Sequence, residues 1–360
     1  MNPAPPATEL VLERGSTRDA DVSSTGQQEP LWPSIAFGAA GNAYLWWRRA
    51  RQLGEGASLR NAQAWLRRCD GAVATDYEAE ALDLRHTLCF GEAGVALVRA
   101  LVAHASGDSL AYEEAFALFA ARCSDVDGIA DEFLFGSAGL LHGVRSLMRH
   151  TGDVRARQIG DGLAGRLLAR VRAGASSGRD EMSDGFGHGA AGMLHALMSW
   201  SSCVCEPPSD ALLALIEAHE DDRAPRRSPA VSRALQSGWC SGAAGKTLLW
   251  VRAYELTRAP SARLRARRHA AMVAACTIAV NADLCCGVAG RVFALLAMDR
   301  VEPGRGWLEH AHRQLALVGH GELERMRPLG LYKGLPGLAC AAADAAAAPT
   351  RRMGFPLIED

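Results

Sequence analysis

The pattern Gly-x-[Ala/Pro]-Gly placed after a short loop and ahead of an apolar run occurs seven times in this chain, and it constrains the fold more than any other feature. The copies run from Gly38 to Gly41, Gly91 to Gly94, Gly136 to Gly139, Gly189 to Gly192, Gly242 to Gly245, Gly287 to Gly290 and Gly334 to Gly337. Their first glycines are 53, 45, 53, 53, 45 and 47 residues apart. Periods of this size belong to repeat architectures, in which one unit cannot bury its apolar face alone and needs a neighbour. The runs after the turns, such as Val95 to Ala103, Leu140 to Met148 and Arg291 to Met298, have the small and aliphatic side chains of buried helices. Glycine at a helix start lets backbones approach closely and leaves N–H groups pointing at the loop. More amphipathic segments lie between. Tyr112, Ala115, Phe116 and Phe119 fall on one helical face, and Arg67, Arg68, Arg263, Arg265, Arg267 and Arg268 mark solvated faces of helices expected near 58 to 70 and 261 to 279. Strand-like alternation is absent. The expected fold is all-α: seven helical hairpins, each with an apolar inner and an amphipathic outer helix, closed into a ring with the glycine turns gathered at one end.

The residue before each first glycine changes character along the chain. In order it is Phe37, Phe90, Phe135, His188, Ser241, Cys286 and Lys333, so polar groups occupy this position only in the last four repeats. Chemistry is therefore expected in the second half. Three cysteines sit at these turns: Cys240 in Gly238-Trp239-Cys240-Ser241-Gly242, and the adjacent Cys285 and Cys286. Zinc takes thiolates readily, and a catalytic zinc keeps three protein ligands and one open position. Adjacent cysteines can share one metal where the backbone turns sharply, as Gly287 permits. Small buried thiols also suit plain packing in alanine-rich helices, and the residues alone leave both readings open. Cys203 and Cys205 form a second possible metal clip, in a loop before Pro207-Pro208, while Cys69, Cys89, Cys123, Cys276 and Cys340 read as packing. His188 can serve as general acid or base, or as a fourth ligand. His142 and His195, inside the inner helices, are its alternatives. Gly245-Lys246-Thr247 imitates the end of a phosphate-binding loop, but Cys240 stands where that pattern needs glycine and no strand precedes it.

A chain of 360 residues that is 49% hydrophobic can bury a large core, and its repeats favour one closed domain, residues 31 to 360, over two. Residues 1 to 30, rich in Pro, Ser, Thr and acidic side chains, read as disordered, with Trp32-Pro33 opening the folded part. A net charge of −1 points to neither nucleic acid nor an anionic membrane. The N-terminus lacks the apolar core of a signal peptide, and no apolar stretch is long enough for membrane insertion, so a cytoplasmic protein with reduced thiols is expected.

These turns resemble those of a known family, the lanthionine synthetase C-like proteins, which comprise the LanC cyclases and their eukaryotic-type relatives. The resemblance is carried by Gly238-Trp239-Cys240-Ser241-Gly242, Leu284-Cys285-Cys286-Gly287, the His-Gly-x-x-Gly from His188 to Gly192, and Asp131-Glu132-Phe133-Leu134-Phe135-Gly136. The closing Gly354-Phe355-Pro356-Leu357 is also similar, so the likeness covers about residues 32 to 360. It implies an α/α toroid of seven inner and seven outer helices with one zinc ion per chain. It implies an enzyme that closes (methyl)lanthionine thioether rings by adding a peptide cysteine to dehydroalanine or dehydrobutyrine. Carried over position by position, it makes Cys240, Cys285 and Cys286 the zinc ligands and His188 the acid–base residue, with Glu132 and Asp131 as further catalytic candidates. The implied partner is a dehydrated precursor peptide, prepared by a separate dehydratase.

The chain also departs from the family pattern. The third ligand, commonly histidine, is Cys286 here, as in the cyclase domains of bifunctional class II synthetases. Ser241 replaces an aromatic or histidine, and Gln236, with Arg233 nearby, stands where bacterial cyclases have an active-site arginine. Other readings stay open: addition of glutathione or another small thiol to dehydroamino acids, towards which the motif from Asp131 to Gly136 leans, or a non-catalytic zinc-stabilised peptide-binding scaffold. A helical-toroid glycosidase would need paired carboxylates at the turns, with Asp131, Glu132, Asp184 and Asp283 as the candidates.

Overall fold

The structure is a computed structural model that describes residues 32–71, 84–173, 185–218, 236–279 and 281–359. The N-terminal segment expected to be disordered, together with Arg233 and Asp184, lies outside the described residues.

Among the described residues there are fourteen α-helices and no strand, only two isolated bridges, Ala130 with Gly136 and Arg327 with Gly334. Seven helices follow directly on the glycine turns: α1 (Ala39–Leu53), α3 (Glu92–Ser106), α5 (Ser137–Thr151), α7 (Ala190–Cys203), α9 (Ala243–Thr257), α11 (Val288–Val301) and α14 (Leu335–Ala346). Each packs on the next in that order, and α14 packs back on α1, so the inner ring is closed. The other seven, α2 (Gly56–Arg68), α4 (Ser109–Ser124), α6 (Arg155–Arg172), α8 (Asp210–Ala218), α10 (Pro260–Ala274), α12 (Trp307–Leu315) and α13 (His320–Arg325), present exposed faces and form the outer layer. The two layers differ as their sequences do. In α11 every residue from Val288 to Met298 is buried, whereas α10 buries only Ala262, Ala266, His269, Ala270 and Val273, one helical stripe. The fold is an α/α toroid, as expected. The helix expected to run to residue 279 stops at Ala274, because the chain beyond it loops back so that the Asn281 carbonyl can accept the N–H of Val288 at 3.2 Å.

The glycines at the turns are required by space rather than by backbone sign. Gly242 caps α9 in an extended conformation (φ −126°, ψ −163°), which any residue adopts. A Cβ on Gly38, however, would lie 1.8 Å from the Trp32 carbonyl oxygen, and one on Gly136 would lie 2.1 Å from that of Ala130. This approach lets loop carbonyls accept the N–H groups of the first helical turn, as Trp32 does for Ala39 (2.8 Å) and Ala130 for Ser137 (3.0 Å). Those N–H groups are therefore satisfied by the loop.

When the turns are aligned on their first glycine, each of the three preceding positions has one role. The third position back holds Ile35, Leu88, Phe133, Phe186, Trp239, Leu284 and Leu331, all 0% exposed. Each such side chain contributes about 1.5–3 kcal/mol on removal from water, so this layer holds the turns together from beneath. The second position joins neighbours through the backbone. Ala36 N–H donates to the Cys89 carbonyl (2.8 Å), Leu134 to Gly187 (3.1 Å), Gly187 to Cys240 (2.7 Å), Cys240 to Cys285 (3.1 Å), Cys285 to Tyr332 (3.1 Å) and Tyr332 back to Ala36 (3.2 Å). The position next to the glycine is half-buried at the rim, except for the exposed Ser241.

The C-terminal tail enters the ring from the other end. The Phe355 ring packs against Trp239 at 5.1 Å and Phe293 at 5.3 Å. The Tyr44 hydroxyl accepts the N–H of Leu357 at 3.1 Å. Arg300 holds Glu359 at 2.7 Å, and the Asp344 carboxylate takes both Arg48 (3.0 Å) and the N–H of Gly354 (2.8 Å). No described helix is long and apolar enough to cross a membrane.

Candidate metal centre

The seam between the fifth and sixth turns places Cys240 and Cys285 at the same position of successive repeats, and Cys286 follows at the rim. Cys240 Sγ lies 3.2 Å from Cys286 Sγ, Cys286 Sγ lies 3.4 Å from Cys285 Sγ, and all three sulfurs fall within 4.8 Å of one another. All three cysteines are free. Four-coordinate zinc with Zn–S bonds of about 2.3 Å spaces its sulfurs roughly 3.8 Å apart, so small side-chain rotations would seat an ion here. Cys240 and Cys285 are buried, 6% and 5% exposed, while Cys286 is half-buried, which leaves a dry floor and one accessible side. No other group of three metal-binding side chains comes this close among the described residues. The donor set, soft and tridentate with room for one more ligand, fits a catalytic zinc site.

The electrostatics favour charge on the rim sulfur. Hydrogen bonding from Cys240 and Cys285, with help from the Lys333 ammonium, pulls the Cys286 thiol down to about 2. Cys285 is pushed well up, chiefly by its hydrogen bonds to Cys240 and Cys286 and by burial. Cys286 is thus the most readily ionised of the three thiols, and binding a divalent ion displaces protons from the cluster. Lys333 Nζ sits 3.4 Å from Cys286 Sγ and 3.5 Å from Asp283 Oδ2, and Asp283 Oδ1 accepts the N–H of Cys286 at 2.8 Å. Burial works against the Lys333 charge, but the thiolates and Asp283 outweigh it and hold the ammonium above its ordinary range. Lys333 stood out in the sequence as a polar rim residue; its tie to Asp283 did not, because the two lie on different turns.

His188 belongs to the adjacent turn, tied to the centre by the Gly187 N–H donating to the Cys240 carbonyl at 2.7 Å. Its Nδ1 lies 3.7 Å from Glu132 Oε2, and its ring stacks on Phe135 with centroids 5.7 Å apart. Glu132 is buried and also accepts the N–H groups of Leu134 (2.8 Å) and Phe135 (3.0 Å), so the carboxylate is fixed by its own turn. Asp131 pairs instead with Arg170 of outer helix α6 at 2.9 Å. His142 and His195 stack on each other inside the ring, 1% and 0% exposed, beneath Phe133 and Phe186. Burial drives both well below the ordinary histidine range, so they are neutral packing groups here. Ser241 Oγ is 3.6 Å from Cys240 Sγ, and Gln236 opens the fifth turn. Cys203 ends α7, and Cys205 is exposed in a left-handed conformation (φ 57°), with no third donor nearby among the described residues.

A family model described as "Lanthionine synthetase C-like protein" matches residues 29–358. Among solved structures the chain is similar to one described as "Nisin cyclase", with a TM-score of 0.61 and 12% sequence identity over 93% of this chain and 92% of that one. At that identity the likeness bears on the fold. No curated protein sequence matches. Over nearly its whole length, this chain belongs to the lanthionine synthetase C-like family.

Proposed function

We propose that the protein is a lanthionine-forming cyclase, which adds a cysteine thiol of a dehydrated precursor peptide to a dehydroalanine or dehydrobutyrine of the same peptide. The observation that carries this reading is the convergence of three thiols and one histidine on consecutive turns at one rim of the toroid. Cys240, Cys285 and Cys286 would hold one zinc ion. Zinc supplies a Lewis acid that makes a coordinated thiol a thiolate at neutral pH, where a free thiol of pKa about 8.5 is mostly protonated. The chain's own residues do the rest. The buried Cys240 and Cys285 keep water from the floor of the site, and the rim at Cys286 leaves the side from which peptide enters. His188 gives the proton that the substrate's α-carbon needs once sulfur has bonded to the β-carbon. Glu132 holds the ring at Nδ1, and Phe135 restricts its rotation. Asp131, paired with Arg170, positions the turn that carries Glu132. The dehydro residues would come from a separate dehydratase acting first. Free ligand thiols suit a reducing, cytoplasmic setting.

The test is to incubate zinc-loaded protein with a peptide that contains one dehydroalanine and one cysteine. Ring closure leaves the mass unchanged, so it is read as loss of the alkylatable thiol and as a thioether in fragment spectra. Wild type should consume the thiol and Cys285→Ala should not. If added glutathione were joined to the peptide in preference to its own cysteine, the small-thiol reading would replace this one. Turnover equal to the uncatalysed rate would reject both.

A further inference from the structure

We propose that Lys333 shields Cys286: its ammonium blunts the nucleophilicity of this ligand sulfur, so that the electrophile is attacked by the substrate's thiolate and not by the protein's own. The inference rests on the zinc–thiolate reading above and addresses a selectivity problem within it. A dehydroalanine at the centre meets several sulfurs able to attack its β-carbon, and three belong to the protein. Cys240 and Cys285 are enclosed, but Cys286 is half-buried at the rim and within reach. It is also the ligand that carries a cation, with Lys333 Nζ at 3.4 Å from its sulfur. Asp283 fixes both partners, one oxygen 3.5 Å from the ammonium and the other accepting the Cys286 N–H at 2.8 Å.

Residue choice points the same way. Of the 39 basic residues only Lys246 and Lys333 are lysine, so this chain places an ammonium here where nearly everywhere else it uses a guanidinium. A compact ammonium is a point charge that can face one sulfur, whereas the planar fork of arginine spreads its donors over several acceptors. A charge-assisted hydrogen bond lowers the energy of the sulfur lone pairs, and a thiolate stabilised in this way attacks carbon more slowly. The step suppressed is self-alkylation. In it Cys286 Sγ bonds to the β-carbon, the π pair moves to the α-carbon and takes up a proton there, and the ligand is left as a neutral thioether that binds zinc weakly.

Zinc-loaded wild type, Lys333→Met and Lys333→Arg would be incubated with methyl 2-acetamidoacrylate, a small dehydroalanine ester, and adducts mapped by peptide mass spectrometry. The Met variant should label at Cys286 faster by about tenfold to a hundredfold, the rate equivalent of one hydrogen bond to a charged group. Cys240 and Cys285 should stay unlabelled, and Lys333→Arg, which keeps the charge but spreads its donors, should label at a rate between wild type and the Met variant. Equal labelling of Cys286 at equal zinc content would overturn the proposal, as would acceleration at all three cysteines, which would report a loosened site. If Lys333→Met purifies without zinc, Lys333→Gln is compared with wild type and Lys333→Arg at full occupancy, and it should label at Cys286 faster than either. Loss of zinc from every variant would overturn the shield in favour of a role in holding the metal. No peptide enters this assay. A wild type that closes no rings, beside a Met variant labelled faster at Cys286, would remove the cyclase reading and support the shield.

Discussion

His188 is linked to the centre through the backbone, by Gly187 to Cys240, and to Glu132 through its ring, and neither link makes it a metal ligand. His188→Ala should therefore retain zinc while slowing ring closure by about 10² to 10⁴, the usual contribution of a positioned acid–base group. Single-turnover kinetics and zinc content measured on the same sample check this, and loss of zinc with the ring would recast His188 as a ligand. At this scale the rim column was legible, because its change from phenylalanine to histidine, serine, cysteine and lysine is a change in chemistry. The column behind it was not. Ala36, Cys89, Leu134, Gly187, Cys240, Cys285 and Tyr332 share a backbone hydrogen bond that any residue can make, so no side-chain pattern announces them. Cys240 and Cys285 were found as thiols, but their equivalence needed the seam. The Asp131 pairing with Arg170 was also hidden, since an outer helix far along the chain supplies the partner.

The turn is the element on which the site depends, and its glycines can be ranked by space. Gly245→Ala puts a Cβ 2.2 Å from the carbonyl of Trp239, the residue before Cys240. It should cost about 1–3 kcal/mol of stability, as overpacking does, and weaken zinc binding, because the displaced backbone carries a ligand. Gly162, inside α6, has nothing within 4 Å of the same construction. Gly162→Ala should instead stabilise by about 0.5–1 kcal/mol through helix propensity. Urea denaturation and a zinc titration of the two variants check the pair, and similar effects in both would contradict the spatial argument. Helix existence and layer were readable from apolar periodicity; helix ends were less so. The helix expected near 261 to 279 ends at Ala274, ahead of the sixth turn, where the Asn281 carbonyl accepts the N–H of Val288.

Seen as a whole molecule, the ring follows from the period, but its closure from within does not. The tail from Gly354 to Glu359 is anchored by Tyr44, Arg145 and Arg300, which belong to three different repeats. Beneath the metal centre the stacked His142 and His195 are held neutral, first by burial and then by nearby charges that include Arg145 and Arg252. Their folded pKa values are depressed, so below an unfolded value of about 6.5 the unfolded chain binds protons that the fold refuses. Stability should be full above that pH and fall on acidification by up to about 1.4 kcal/mol per pH unit for each histidine. Denaturation midpoints from about pH 7.5 to about pH 5.5 should show the decline, flattened in His142→Asn/His195→Gln, and a flat wild-type profile would mean that the pair is protonated in the fold. The central claim is that three thiolates from the fifth and sixth turns hold one zinc. Zinc-edge X-ray absorption on stoichiometrically loaded protein tests it most directly: the account predicts sulfur scattering at about 2.3 Å with no imidazole nitrogen, and one nitrogen at about 2.0 Å replacing one sulfur in Cys286→His. Nitrogen ligation in the wild type, or a spectrum unchanged by that substitution, would contradict it.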